Sequence, residues 1–215
     1  MFSQSFPDVE HLSFEVSSSR CNMAVSSLDV GIEKSQDEME PNLKYCTDFK
    51  VRVFAVNSNN RPPTEVAFLT GISMEAEAEL EDVEDFYMLC DMVSDDLLQM
   101  AEAVTNHAGS VKKSICPPER NIMYIHYMYV EEAYRGAGIG RYLLDNINDL
   151  FCHALNYAHH VCVLKPYPQI KSGDHCLEAQ ENATPEEVER LIGFYKKAGY
   201  RFIRGTDHMY KTQSV

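Results

Sequence analysis

The stretch YRGAGIG at Tyr134–Gly140 constrains the fold of this chain more than any other part of the sequence. Its three glycines lie between an aromatic and aliphatic run at 121–130 and a leucine-rich stretch of helical spacing that starts at Gly140. Glycine is unfavourable inside both strands and helices, so the chain needs a reason to place it there. The pattern predicts a strand, a tight glycine loop and a helix in direct succession.

Such a loop predicts an anion site at the start of the helix. The first N–H groups of a helix lack intrahelical partners, and the helix dipole adds positive potential. Glycines leave room for a phosphate or pyrophosphate to touch the backbone. The dinucleotide pattern GxGxxG fails, because Arg141 stands where the third glycine belongs, and the P-loop pattern GxxxxGK[ST] is also absent. What remains is the spacing Arg135-x-x-Gly138-x-Gly140.

Hydrophobic periodicity predicts the neighbouring elements. Strands are expected at 48–57 and 64–75 as a hairpin, at 121–130, at 161–164, and at 200–203 and 208–211 as a closing hairpin. Helices are expected at 83–104, with a fresh start after Ser94, at 140–151, and from a capping box at Thr184 to Gly199. Residues 167–183 are expected to form a long polar loop. Strict alternation at 121–130 would put one set of side chains on the same face: Tyr124, His126, Met128 and Val130.

Charge is distributed unevenly along the 215 residues. Residues 1–110 hold 21 acidic and 6 basic side chains, a net charge of −15, whereas the whole chain carries −14. Because phosphate binding needs a basic stripe, no nucleic-acid partner is expected. An acidic surface instead attracts cationic partners, although the acidic runs also serve solubility alone.

The remaining composition predicts a cytoplasmic protein. No stretch approaches the ~20 apolar residues of a membrane span, and the N-terminal residues lack the pattern of a secretory signal. The seven cysteines are scattered without a CxxC pair, which indicates reduced thiols. No membrane partner is therefore expected.

Two motifs together resemble the GNAT superfamily of N-acetyltransferases. YRGAGIGRYLL, preceded by YMYV, resembles its acetyl-CoA pyrophosphate loop at the end of a fourth strand. FYKKAGYRF resembles its second signature, a helix followed by a Gly-aromatic strand. Both motifs stand in the family's order, with an apolar strand between them, and the resemblance covers roughly residues 119–212.

The resemblance implies an α/β fold, of the α+β mixed-sheet kind. The expected central sheet is mostly antiparallel, is splayed at the fourth and fifth strands, and is flanked by helices. Residues 1–45 are expected to be a polar N-terminal extension of uncertain order, and 46–215 a single N-acetyltransferase domain. The family usually places a helical pair between its first two strands. Here the helices at 83–105 follow the hairpin, so an early strand and helix lie within 1–45 or the acceptor side is rebuilt.

Acetyl-CoA is the co-substrate that the resemblance implies. The expected contacts are the edge of the strand at Met128, Tyr129 and Val130, and the loop residues Arg135, Gly136, Ala137, Gly138, Ile139, Gly140 and Arg141. Backbone N–H groups of the loop would hold the pyrophosphate, and the strand edge would pair with the pantetheine amides. No metal is expected, because Asp174, His175 and Cys176 in direct succession are poor ligand geometry. These three residues and Lys165 are candidates to border the acceptor, but the better interpretation of the three is as surface residues of a mobile loop.

The resemblance also implies a catalytic acid and base. Tyr195 matches the tyrosine that protonates the CoA thiolate and also contacts the co-substrate; a core tyrosine is the alternative. His126 resembles a histidine that accepts the proton of the amine, and its ordinary pKa of ~6.5 suits that role. A packed strand histidine is the alternative, and Glu131 and Glu132 are the other candidate bases.

The sequence thus predicts an N-acetyltransferase acting on a small-molecule or peptide amine by direct attack in a ternary complex. A cationic amine fits the acidic half of the chain. The alternative is a non-catalytic acyl-CoA-binding sensor or interaction module on the same fold. A monomer and a homodimer are both compatible with the sequence.

Overall fold

The computed structural model describes eleven stretches of the chain: 9–20, 46–57, 62–74, 86–87, 90–91, 93–107, 111–116, 121–155, 158–172, 176–180 and 183–213. For residues 9–10, 19–20, 57, 155, 171–172 and 176–179 only the backbone is described.

Strands and helices alternate after an all-strand start. The strands are β1 Val9–Arg20, β2 Cys46–Asn57, β3 Thr64–Met74, β4 Ile122–Val130, β5 Val161–Leu164, β6 Gln169–Ser172, β7 Cys176–Ala179, β8 Arg201–Phe202 and β9 Met209–Thr212. The helices are α1 Asp95–Val104, α2 Ile139–Leu155 and α3 Pro185–Lys197. A short 3₁₀ turn, Glu132–Tyr134, links β4 to the glycine loop.

Seven strands form one sheet in the order β1-β2-β3-β4-β5-β9-β8. Only β4 and β5 are parallel, and they pair over four residues, Ile122–Ile125 with Val161–Leu164. Beyond Ile125, β4 continues for five residues along β3 alone. This mixed, mostly antiparallel sheet with helices packed on it confirms the predicted α/β fold class, and its fourth and fifth strands part where the family resemblance places the splay.

A β-bulge at His126 interrupts β4. Thr70 of β3 pairs with Tyr127 and the next residue, Gly71, pairs with Ile125, so His126 is the extra residue. A bulge bends its strand and reverses the alternation of side chains beyond it. The predicted shared face was therefore wrong. Tyr124 packs with the core on one face, whereas Met128 and Val130 pack against the core on the other.

Two hydrophobic cores cover the two faces of the sheet. On one face, α2 and α3 pack through buried residues such as Leu143, Ile147 and Tyr195. On the other face, α1 packs against Tyr124 through Leu97 and Met100. Both α1 and α3 start as the sequence predicts: the Ser94 hydroxyl accepts from the N–H of Leu97, and Thr184 forms a complete capping box with Glu187.

Two stretches differ from the sequence-based expectations. Residues 167–183 contain the antiparallel hairpin of β6 and β7 rather than a loop without secondary structure, so that expectation was wrong. Residues 1–45 contain β1, which pairs along nearly the whole of β2. The early strand that the family order requires is therefore present, and the residues between β1 and β2 lie outside those described.

Candidate active site

The second half of β4 offers an open strand edge. β3 occupies one edge as far as Val130, whereas β5 ends at the level of Ile125. In an antiparallel ladder the backbone groups of successive residues point to alternate edges. The N–H of Glu131 bonds to the Val66 carbonyl on the β3 side, so the backbone groups of Val130 and Met128 face the open edge and those of Tyr129 face β3. Of the three strand residues predicted to contact acetyl-CoA, Met128 and Val130 thus present their backbone amides to this edge, and Tyr129 does not.

The glycine loop brings the start of α2 to the outer end of this edge. Gly136 and Gly138 have φ of 81° and 93°, a region that residues with a Cβ rarely adopt. The first helical hydrogen bond runs from the N–H of Tyr142 to the Gly138 carbonyl at 2.9 Å. The N–H groups at 139–141 therefore have no acceptor within the helix. The first turn of α2 contains no acidic residue, unlike those of α1 and α3.

Gly140 fixes the position of the helix start on the strand. A Cβ there would lie 3.4 Å from Phe194 Cζ, 3.6 Å from Val130 Cγ2 and 3.7 Å from Met128 Cε. The helix N-terminus thus packs directly on the two residues whose amides face the open edge. A Cβ at Gly136 would meet nothing within 4 Å, so the loop is open to an incoming group. The side chains of Ala137 and Ile139 are buried in the core, leaving only their backbone for an anion.

The two predicted arginines are placed differently. Arg135 is exposed, and its Nε donates to the Val130 carbonyl at 2.9 Å, which closes the loop onto β4. Its guanidinium carbon lies 5.3 Å from the centre of the Tyr129 ring. Arg141 points away from the loop: it donates to Asp145 at 2.5 Å and to the Lys197 carbonyl at the end of α3. Arg135 therefore stays at the open edge, whereas the Arg141 side chain joins α2 to α3.

Tyr195 is buried on the face that carries α2 and α3. It belongs to the core that Met128 and Val130 also contact, and its ring packs edge-on against Tyr200 at 5.9 Å. Burial raises the pKa of Tyr195, with a smaller contribution from the Cys162 thiol. The phenol therefore stays protonated across the neutral range and keeps a proton to donate. Tyr200 differs, because its hydroxyl donates to the Cys162 sulfur at 3.1 Å.

His126 lies on the opposite face, at the bulge. Its ring packs edge-on against Tyr124 at 4.8 Å, and its Nδ1 lies 3.9 Å from Oδ2 of Asp96 in the first turn of α1. Burial lowers the pKa of His126, and the carboxylates of Asp96 and Asp48 partly offset that effect. The imidazole is therefore neutral near pH 7, as a proton acceptor must be. The position of Asp96 favours the tautomer with the proton on Nδ1, which leaves Nε2 as the basic nitrogen.

Glu131 lies at the other end of the open edge. Its N–H bonds to Val66, and its carbonyl accepts from the N–H of Tyr134, so its backbone fixes the entry to the glycine loop. Five residues of strand separate it from His126, about 16 Å along β4. The two candidate bases therefore do not converge, and only His126 stands at the bulge. Glu132 lies in the exposed 3₁₀ turn that follows.

A second polar group lies near His126. Of its residues, the sequence suggested only Lys165 as a functional candidate. Lys165, directly after β5, contacts Asp207 at 2.8 Å and the Gln99 amide oxygen at 3.0 Å. Asp207 in turn lies 3.0 Å from Nδ1 of the buried His208. The sequence suggested Lys165 as an acceptor contact, but no motif marks Asp96, Asp207 or His208, because their partners come from distant elements. Asp174 and His175 lie outside the described residues.

The potential metal ligands and the buried thiols of the described residues show two further features. Those residues hold no group of three or more His, Cys, Asp or Glu side chains arranged to bind a metal ion. Burial raises the pKa of Cys46, Cys90 and Cys162 to about 12, so these thiols are poor nucleophiles. Among the described helices none combines the length and the apolar character needed to cross a membrane.

Comparison with known families agrees with this site. Residues 100–202 match the family described as the acetyltransferase (GNAT) domain. The match includes β4, the glycine loop, α2, β5 and α3. The predicted resemblance to the GNAT superfamily is thereby confirmed over residues 100–202, just under half of the chain. Among curated proteins, no sequence matches it.

Several solved structures are similar to this chain at low sequence identity. One is the KacTA–DNA complex, with 9% identity and a TM-score of 0.40 over 94% of this chain and 93% of that chain. Another is Arabidopsis thaliana NAA60 in complex with a bisubstrate analogue, with 14% identity and a TM-score of 0.35 over 76% and 71%. A third is an agmatine N-acetyltransferase in apo form, with 14% identity and a TM-score of 0.39 over 84% and 82%. At these TM-scores the likenesses carry no argument about the substrate.

Proposed function

We propose that this chain is an N-acetyltransferase that transfers the acetyl group of acetyl-CoA to a primary amine by direct attack. One observation carries the proposal. The open edge of β4 runs from an anion cradle at the start of α2 to the bulge at His126. Tyr195 approaches this region from one face of the sheet and His126 from the other.

The residues of the cradle fit the phosphates of acetyl-CoA. Three helix N–H groups without helical acceptors, open space beside Gly136 and the nearby Arg135 suit a pyrophosphate. The amides of Met128 and Val130 face the open edge, where an extended chain with its own amides pairs as an added strand does. An N–H at this edge also polarises a thioester carbonyl placed beside it.

The acid and the base then have separate duties. An amine that arrives as an ammonium ion first loses one proton to solvent, which frees its lone pair. His126 Nε2 takes the second proton as the nitrogen attacks, and Asp96 stabilises the imidazolium that results. The Tyr195 hydroxyl donates its proton to the departing thiolate. Because the two groups belong to opposite faces, the amine and the thiolate need not share one entrance. The proton gained by His126 and the proton lost by Tyr195 are exchanged with solvent between turnovers.

The acceptor that this arrangement favours is cationic before it reacts. Asp96 is 54% exposed in its side chain and faces a neutral imidazole, whereas Asp207 is already paired with Lys165. An ammonium group is stabilised by a carboxylate such as that of Asp96. We therefore propose a small-molecule or peptide amine that carries a positive charge at neutral pH. A cytoplasmic location, where acetyl-CoA and reduced thiols coexist, is part of the same proposal.

The direct test is a panel of amines incubated with the purified chain and acetyl-CoA. Thiol release and the mass of the acetylated product are measured together. We expect thiol release only with amines, and a mass increase that corresponds to one acetyl group. If acetyl-CoA raises the melting temperature and no amine releases thiol, the chain is a non-catalytic acyl-CoA-binding module. If acetyl-CoA neither stabilises the protein nor reacts, both assignments fail.

A further inference from the structure

The chain crosses from β5 to β4 at the inner end of the open edge. Lys165 follows β5 and is held by Asp207 and Gln99. The N–H of Tyr167 bonds to the Lys165 carbonyl at 2.9 Å, which turns the chain sharply. The amide nitrogen of Gln169, at the start of β6, then donates to the His126 carbonyl of β4 at 3.0 Å. One side chain thus bridges the gap where the two strands part.

This contact sets the inner limit of the open edge. The His126 carbonyl also points to the open edge, because in a trans peptide it lies opposite the N–H of Tyr127, and Tyr127 pairs with Thr70 on the β3 side. The Gln169 amide donates to that carbonyl, whereas no described strand pairs with the open edge of β4 between His126 and Val130. The usable edge therefore runs from Val130 back to Gln169.

The acyl end of the co-substrate lies at this inner limit. The charged phosphates belong at the cradle formed by the start of α2, which packs on Val130. From Val130 to His126 the strand extends about 13 Å. An arm that starts at the cradle and follows this edge therefore ends beside the Gln169 carboxamide.

We propose that the Gln169 side chain is the end wall of the acyl pocket and restricts this chain to short acyl groups. The inference rests on the proposed function, because it needs acyl-CoA bound along β4. It adds a specificity-determining residue, one that closes the pocket by the volume of its side chain.

The hairpin that carries Gln169 is anchored well enough to act as a wall. Next to the pair of Gln169 and Ala179 at its base, the N–H of Gln180 bonds to the Pro168 carbonyl at 2.9 Å. The Gln180 amide also contacts Glu187 at 3.3 Å, within the capping box of α3. The base of the hairpin is therefore tied to α3, which carries Tyr195. Shortening Gln169 should leave this frame in place and only remove the wall.

The test compares acetyl-, propionyl- and butyryl-CoA on the wild type and on Gln169→Ala. For each thioester, the rise in melting temperature reports binding, and thiol release with a fixed amine reports kcat/KM. We expect the wild type to prefer acetyl-CoA in both measurements. In Gln169→Ala the butyryl-to-acetyl ratio of kcat/KM should rise roughly tenfold, as expected for two methylenes that gain buried contacts. Butyryl-CoA should then stabilise the variant about as well as acetyl-CoA does.

Two control variants distinguish the effect of the Gln169 side-chain volume from an effect on the fold of the hairpin. Gln169→Met keeps the side-chain length without the hydrogen bond, so it should retain the acetyl preference. Gln180→Ala removes the side-chain contact from the base of the hairpin to Glu187 but keeps the backbone bond to Pro168, so it should also retain the acetyl preference. An unchanged butyryl-to-acetyl ratio of kcat/KM in Gln169→Ala would contradict the proposal that Gln169 is the end wall. A raised ratio in Gln169→Met would contradict it as well. If the wild type neither binds nor uses any acyl-CoA, the proposed function itself has failed, which is a different result from loss of chain-length control.

Discussion

Replacing Gly71 with alanine should disrupt the bulge that positions His126. A Cβ at Gly71 would lie 2.1 Å from the Tyr124 carbonyl oxygen and 2.6 Å from Cζ of Phe49. Neither contact is relieved easily, because the first involves backbone and the Phe49 ring packs edge-on against Phe151 at 4.7 Å. The strands β3 and β4 must separate by roughly 1 Å to reach ordinary van der Waals distance.

The cost follows from these contacts. Overpacking of a core typically costs about 1–3 kcal/mol, and each broken hydrogen bond between the strands adds about 1 kcal/mol. We therefore expect the free energy of unfolding to fall by about 2–4 kcal/mol. Urea unfolding at pH 7 measures this. Gly193→Ala is the control, because a Cβ there meets nothing within 4 Å and the residue lies inside α3. The free energy of unfolding of Gly193→Ala should rise by about 0.5–1 kcal/mol, because alanine is a better helix former than glycine.

The same substitution should separate catalysis from binding. Gly71 pairs with Ile125, directly beside the bulge residue His126, whereas the cradle at the start of α2 is distant in the chain and packs on the other end of β4. Folded Gly71→Ala should therefore lose kcat while its affinity for acetyl-CoA changes little. Wild-type stability together with wild-type kcat would refute the claim that the bulge depends on this glycine.

Three further predictions concern charge and loop geometry. In Asp96→Asn, the acid limb of the pH–rate profile should move to lower pH, because the carboxylate raises the pKa of His126; an unmoved limb argues against His126 as the base. Burial lowers the pKa of His159 to about 3, so the folded state holds this ring neutral. Its contribution to stability is complete above pH ~6.5 and falls by about 1.4 kcal/mol per pH unit as the pH drops from there towards 3. An NMR titration in which the ring of His159 protonates near pH 6.5 in the folded protein would contradict this. Gly138→Ala should weaken acetyl-CoA binding with little loss of kcat at saturation, since φ of 93° is strained for alanine; isothermal titration with acetyl-CoA checks it, and unchanged affinity would remove the loop from the binding site.

Local sequence patterns predicted the elements that carry the co-substrate site. The glycine loop, the helix that starts after Gly138 and the capping box at Thr184 are short-range features, so the residues that form them are neighbours in the chain. The apolar run Val161–Leu164 likewise indicated a strand buried on both faces. These elements could be predicted from the sequence, because neighbouring residues alone determine their local structure.

The acceptor side depended on contacts that a sequence pattern cannot express. The bulge at His126 lies beside Gly71, 55 residues earlier in the chain, where the backbone of β3 comes close to the Tyr124 carbonyl, and it reverses the faces that simple alternation predicts. The hairpin of β6 and β7 consists of two four-residue strands, too short to show a period. Asp96 was identified as part of a helix start, but only the packing of α1 on β4 brings it to His126.

The central claim is that Tyr195 acts as the acid at the open edge of β4, and its most direct test is kcat for Tyr195→Phe. Tyr200→Phe is the matched control, because it removes a hydroxyl from a neighbouring buried ring that already donates to Cys162. Tyr195→Phe should lower kcat about 100-fold, at the low end for a general acid because a thiolate is a fair leaving group. Its affinity for acetyl-CoA should stay close to wild type, and Tyr200→Phe should keep most of its activity. Equal kcat for wild type and folded Tyr195→Phe would contradict the claim.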